Sequence, residues 1–173
     1  LPQSMAIAEH LTPEQCGEIA RLAEITRPEV GVITNVAAAH LLGLGTIDDV
    51  GRAKGELFLG LPSNATAVIN ADDEVIERVA VGGLRGHKQI RFGQSARADV
   101  RLVRSMPTDT GMKVELRFGA ELARVELPLP GSHNALNAAA AAAAAWALGL
   151  GPQEIAAALA KVTVPCSRLR VVR

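Results

Sequence analysis

The chain has 173 residues, the length of one ordinary domain, and 49 % of them are hydrophobic, a content at odds with intrinsic disorder. Its 18 basic and 18 acidic residues cancel, and with three Phe, one Trp and no Tyr it lacks the basic patches and stacking aromatics of a nucleic-acid binder. The longest apolar run, residues 138–148, falls short of the roughly 20 residues that a membrane-spanning helix needs. Cys16 and Cys166 are isolated, with no Cys pair or Cys/His cluster in metal-ligand spacing. That argues against a thiolate metal site and for a reducing compartment.

The opening residues Leu1-Pro2-Gln3-Ser4 carry neither an initiator Met nor a basic n-region, so the chain reads as a fragment and not as a secretory precursor. Residues 5–8 form a short apolar strand. Thr12-Pro13-Glu14 is a helix-start signal. The apolar positions Ile19, Leu22, Ala23 and Ile25 predict a helical face up to Arg27-Pro28. The β-branched run 30–36 has the continuous apolar character of a parallel strand covered on both faces. A loop holding His40 follows, then a helix over about 46–59, with Thr46 and Asp48 suited to its cap and first turn.

Residues 65–70 predict a second buried strand, ended by Ala71-Asp72-Asp73-Glu74, and a short helix leads to Gly82-Gly83. Residues 88–92, 99–104, 112–118 and 122–127 alternate polar with apolar side chains. They predict an antiparallel meander with one wet face and a turn at Thr108-Asp109-Thr110-Gly111. Pro128-Leu129-Pro130-Gly131 leads into an alanine-rich helix over about 133–148, whose small side chains allow close approach to a sheet. Gly149 and Gly151 end it. A last helix spans about 152–161. The fold class is therefore α/β: a mostly parallel sheet flanked by helices, with a small antiparallel subsheet at about 88–128.

Ligands in open α/β sheets bind beyond the carboxyl ends of the strands. Two polar groups fall there, residues 34–40 and Asn70-Ala71-Asp72-Asp73. Each candidate also has a plain structural reading. His40 alone is a hydrogen-bonding histidine, although the small residues before it allow close approach of something large. Lys54, in mid-helix, suits a solvated face. Asp72 and Asp73 suit helix capping, as do Asn134 and Asn137, although a helix start also offers free N–H groups to an anion or a polar ring.

Taken in order, the segments Gly17-Glu18-Ile19, Ile33-Thr34-Asn35-Val36-Ala37-Ala38-Ala39-His40-Leu41, Gly45-Thr46-Ile47, Ala53-Lys54-Gly55-Glu56-Leu57-Phe58, Asn70-Ala71-Asp72-Asp73 and Leu129-Pro130-Gly131-Ser132-His133-Asn134-Ala135-Leu136-Asn137-Ala138 resemble the Mur ligases. The resemblance runs over about residues 1–169. Gly17-Glu18-Ile19 and the Ala-Ala-Ala-His-Leu loop are similar to the branch of the family that adds D-Ala-D-Ala to a UDP-N-acetylmuramoyl tripeptide. The resemblance implies a central ATP-handling domain over residues 1–164, of the phosphate-loop type, and a linker to a further domain over 165–173.

It further implies ATP-dependent amide formation through an acyl phosphate, with Mg²⁺, in peptidoglycan-precursor synthesis by a cytoplasmic, monomeric enzyme. His40 matches a Mg²⁺-contacting His. Lys54 matches a Lys carbamylated in several members, and the carbamate would hold metal. Asn134 and Asn137 match an adenine-contacting pair, and Arg168 an Arg near the nucleotide at the hinge to the last domain. Asn70 and Asp72 match a motif beside the ATP cleft.

Departures from the pattern are equally specific. No Gly-x-x-Gly-Lys-[Ser/Thr] phosphate loop occurs in the chain, and the resemblance places it upstream of Leu1. Glu9 matches the family's metal-binding Glu if one residue is inserted before Gly17, whereas strict spacing puts His10 there. Leu11 stands where Gly is usual. Two alternatives follow: another amide ligase of the superfamily, similar to folylpolyglutamate synthetase, or a non-catalytic paralogue serving as a binding scaffold. The fragment by itself is expected to be inactive.

Overall fold

A computed structural model describes residues 5–7, 17–37, 46–79, 84 and 86–163. In chain order the elements are β1 (Met5–Ile7), α1 (Glu18–Thr26), β2 (Val30–Ile33), α2 (Ile47–Leu59), β3 (Thr66–Asn70), α3 (Glu74–Val79), β4 (Lys88–Gly93), β5 (Val100–Thr108), β6 (Gly111–Phe118), β7 (Glu121–Leu127), α4 (Ser132–Ala147) and α5 (Pro152–Leu159). The seven strands form one sheet in the order in which they occur. β1 to β5 are mutually parallel, and β5, β6 and β7 are antiparallel.

Side-chain alternation divides the core into two layers. Val30, Val32 and Val68 face the alanines of α4, while Ile33, Ala67 and Ile69 face Leu57 and Phe58 of α2. Strands buried on both sides carry no polar alternation, which is why residues 30–33 and 66–70 read as continuous apolar runs. Ala138 to Ala140 and Ala142 to Ala144 are all buried, so the alanine run packs α4 closely on the sheet.

One expectation needs correction. β4 belongs to the parallel sheet, paired in register with β3 from Thr66↔Lys88 to Asn70↔Phe92, so the antiparallel part is confined to β5, β6 and β7. Its alternation arises because Ile90 and Phe92 lie under α4, whereas Arg91 on the opposite face pairs with Glu77 of α3. The expected helix over Ile19 to Ile25 forms as α1, in which Ala23 is buried and Leu22 and Ile25 are 58 % and 63 % exposed. Small residues set this contact. A Cβ on Gly60, at the end of α2, would lie 2.6 Å from the Ala20 carbonyl oxygen and 2.8 Å from Ala23 Cβ. The larger side chains therefore turn outward. The expected helix start at Thr12 lies outside the described residues.

β5 meets β4 only at Phe92↔Val100 and Gly93↔Arg101 and then continues, so the β5–β6–β7 ribbon overhangs the carboxyl edge of the parallel strands. Seven further residues at about 3.3 Å each carry it roughly 20 Å outward. At the opposite side of β7, α5 lies along the edge of the sheet, with Gln153 Nε2 donating to the Leu122 carbonyl. This covers a strand edge that would otherwise invite pairing with another chain. Phe118 and Trp146 meet edge to face, with centroids 5.9 Å apart, and tie β6 to α4.

Thr46 opens α2 with a reciprocal capping box: its hydroxyl accepts the Asp49 amide, and the Asp49 carboxylate accepts from the Thr46 amide and hydroxyl. Thr46→Ala is expected to cost about 1 kcal/mol in chemical denaturation. The Thr46 hydroxyl, then Arg52, hold the Asp49 carboxyl well below the ordinary carboxylate range. Because the folded-state value is the lower one, this contribution is complete above about pH 5 and is lost as pH falls further. The gap between wild type and Thr46→Ala should accordingly narrow between pH 5 and pH 2.

Candidate functional site

The carboxyl ends of β2, β3 and β4 are fastened together by one tetrapeptide, Asn70-Ala71-Asp72-Asp73. Asn70, only 4 % exposed, donates through Nδ2 to the Thr34 carbonyl at 2.8 Å, and its Oδ1 accepts the Asp72 amide at 2.9 Å. Asp73 reaches back to the segment after β2, where its Oδ2 accepts the Val36 amide at 2.6 Å. Its Oδ1 accepts the amides of Val75 and Ile76 and so caps α3.

Asp72 fastens the other side. Its carboxylate accepts the amides of Gln94 and Ser95 at 2.6 and 2.8 Å, just beyond β4. Gly93, with φ +148°, makes room for it, since a Cβ there would lie 2.7 Å from that carboxylate. Arg97 completes the tie by donating to the Ala71 carbonyl at 2.9 Å. Capping thus belongs to Asp73, while Asp72 acts as a loop fastener. No sequence signal separates the two roles of these adjacent carboxylates.

Lys54 is not on a solvated face. It is 6 % exposed, and its Nζ donates to the Asn35 carbonyl at 2.8 Å. A buried ammonium demands such partners, because removing it from water unpaired is costly. Nearby, the Gly17 amide, with φ +88°, donates to Glu56 Oε2 at 2.7 Å, joining the start of α1 to α2.

Chain direction brings α4 to the same edge. β7 runs parallel to β5, and hence to β1 through β4, so it ends on the carboxyl side, and α4 begins five residues later. Asn134 and Asn137, three apart, share one side of the first turns of α4. Asn134 Nδ2 donates to the Pro130 carbonyl at 2.7 Å, and Asn137 is exposed. The helix start at Gly131 has no side-chain cap. These two stand on the opposite layer of the sheet from Lys54, at the same end.

His40, Glu9 and Arg168 lie outside the described residues. Among the described residues no group of three His, Cys, Asp or Glu side chains is arranged to hold a metal ion. The Asp72 and Asp73 carboxylates are engaged by backbone amides. The described residues alone therefore do not make a Mg²⁺ site. Nor is any helix among them long and apolar enough to cross a membrane.

An open, mostly parallel sheet with a fastened, polar carboxyl edge defines an α/β domain of the class in which ligands bind beyond the strand ends. Residues 5–145 match the family model of the Mur ligase middle domain. The chain belongs to the Mur ligase family. It is 40 % identical over 155 residues to the UDP-N-acetylmuramoyl-tripeptide–D-alanyl-D-alanine ligase of Escherichia coli K12, covering 88 % of this chain and 34 % of that protein. The crystal structure of MurF from Acinetobacter baumannii superposes with a TM-score of 0.82 at 26 % identity, over 90 % of this chain and 34 % of that one. MurF of Thermotoga maritima, solved in complex with ADP, gives a TM-score of 0.73 at 28 % identity over 86 % and 34 %. The chain thus spans about a third of the length of the relatives it matches.

Proposed function

We infer that this domain is the nucleotide-handling part of an ATP-dependent ligase that joins D-Ala-D-Ala to a UDP-N-acetylmuramoyl tripeptide in peptidoglycan-precursor synthesis, in the cytoplasm. The observation that carries the reading is the buried Lys54, held against Asn35 at the carboxyl edge of the sheet within a family-matched segment. The 40 % identity to a ligase named for that reaction supports the choice of substrates.

In the proposed reaction the γ-phosphoryl group of ATP passes to the tripeptide carboxylate. The amine of D-Ala-D-Ala then attacks the activated carbonyl, and inorganic phosphate leaves. Catalysis of this kind is mainly positioning and charge neutralisation. Asn134 and Asn137 flank the adenine in this reading, and Arg168 lies near the nucleotide. Asn70 and Asp72 shape the cleft through the backbone they fasten.

Lys54 has two chemical states with different uses. Its ammonium attracts phosphate oxygens. Carbamylation by CO₂ leaves one N–H on Nζ, so the donor to Asn35 survives while the outer end becomes an anion. His40 and carbamylated Lys54, with Glu9, are the ligands proposed for Mg²⁺, which when bound neutralises phosphate and carboxylate oxygens.

The test is product identification by mass in the longer protein that carries this domain. ATP and the UDP-tripeptide are supplied with D-Ala-D-Ala, L-Ala or L-Glu as the amine. Amide formation with D-Ala-D-Ala alone is the expected result, and preferential use of a single amino acid would overturn the substrate assignment. Replacing Asn134 and Asn137 together by Ala should weaken ATP binding about tenfold or more, the scale of one lost polar contact set. Unchanged affinity would remove the pair from the adenine site.

A further inference from the structure

The exposed face of the β5–β6–β7 ribbon carries an arrangement that folding alone does not favour. Arg101 of β5 and Arg117 of β6 are direct cross-strand partners in the antiparallel register. Like charges placed opposite one another on adjacent strands are destabilising. Elsewhere on this face the opposed charges are complementary: Arg124 bonds to Glu115 at 3.0 Å, and Lys113 faces Glu126. Among the described residues neither Arg101 nor Arg117 has a carboxylate partner.

Their position is equally specific. Val100, Phe92 and Phe118 face α4, so Gly93, Arg101 and Arg117, each one residue away, face the opposite side. Arg101 is the register partner of Gly93, whose missing side chain is replaced by the Asp72 carboxylate. The Arg101 Nε donates to the Gln94 carbonyl at 2.9 Å, which fixes its stem and leaves its terminal nitrogens for another acceptor. A row therefore runs along the carboxyl edge from Asp72, seated over Gly93, to Arg101 and Arg117.

We propose that Arg101 and Arg117 form an oxyanion-binding subsite for the phosphate or carboxylate group of a ligand lying along that edge. Two guanidinium forks side by side match two oxygens of one such group, and bound anion relieves the repulsion between them. Equilibrium binding at this pair does not require the ligase reading to hold.

The experiment titrates the full chain at low salt with inorganic pyrophosphate and, separately, with succinate, by calorimetry. Saturable binding is expected, weakened about tenfold or more by Arg117→Ala and within about twofold of wild type for Arg124→Ala, the paired control. Tighter pyrophosphate binding identifies a phosphate-bearing ligand, and tighter succinate binding a carboxylate-bearing one. Arg117→Glu, which gives Arg101 a partner, should raise Tm while abolishing binding of both probes. No binding by wild type, equal losses in Arg117→Ala and Arg124→Ala, or a lowered Tm in Arg117→Glu would each overturn the proposal.

Discussion

Replacing Lys54 by alanine in the ligase that carries this domain is expected to lower amide formation by about 10²–10³-fold, the usual cost of deleting one charge-stabilising group from a closed site. Lys54 is buried and holds the Asn35 carbonyl, so its loss also leaves a polar group short of a donor. That structural part is worth about 1–3 kcal/mol and would appear as a lower unfolding midpoint. Chemical rescue separates the two effects. Added acetate or formate supplies a small carboxylate to the vacated space, and it should restore part of the rate without moving the midpoint. Rescue of this kind identifies the carbamate as the working state. A Lys54→Ala enzyme with full activity would take Lys54 out of the reaction altogether.

The second large effect is expected at Gly111, on stability. A Cβ at this position would lie 2.0 Å from the Leu127 carbonyl oxygen and 2.9 Å from the Leu129 nitrogen. Both are backbone atoms, so no rotamer change relieves the clash and β6 must move away from β7. Gly111→Ala should cost about 3 kcal/mol, at the upper end for overpacking, and lower Tm by roughly 6–12 °C for a chain of this size. Gly119 is the informative control. It has φ +56° but open space around it, so alanine there should cost only about 1–2 kcal/mol of left-handed strain. If the two variants melt together, the β6–β7 contact is not the constraint. Because residues 128–131 join Leu127 to α4 and Asn134 bonds to the Pro130 carbonyl, Gly111→Ala should also disturb Asn134 and with it nucleotide affinity.

The parallel core was legible because burial on both faces leaves an unmistakable pattern. Val30-Gly31-Val32-Ile33 and Thr66-Ala67-Val68-Ile69-Asn70 could hardly be anything else. β4 misled because a strand at the margin of its helical cover alternates like an antiparallel one, whatever its direction. In α1 the periodicity marked the helix but not the small-residue contact at Gly60 that decides which side chains are buried. At the candidate site, Lys54 was singled out by resemblance and not by its spacing, which suits a solvated helix face equally well. The division of labour between Asp72 and Asp73 was not visible in sequence, since adjacent carboxylates diverge only when the chain brings residues 36 and 94 to either side of them.

The two-layered core imposes an order on biosynthesis. β1 through β4 are neighbours in both sequence and space, so they and α1 through α3 can assemble as the chain emerges. The other side of that sheet, with Val30, Val32, Val68, Ile90 and Phe92, stays uncovered until residues 132–147 are available to lie across it. A nascent or truncated polypeptide stopping near residue 130 would therefore present a broad sticky surface to its neighbours and fall to chaperones or aggregates. One that includes α4 closes over its own interior.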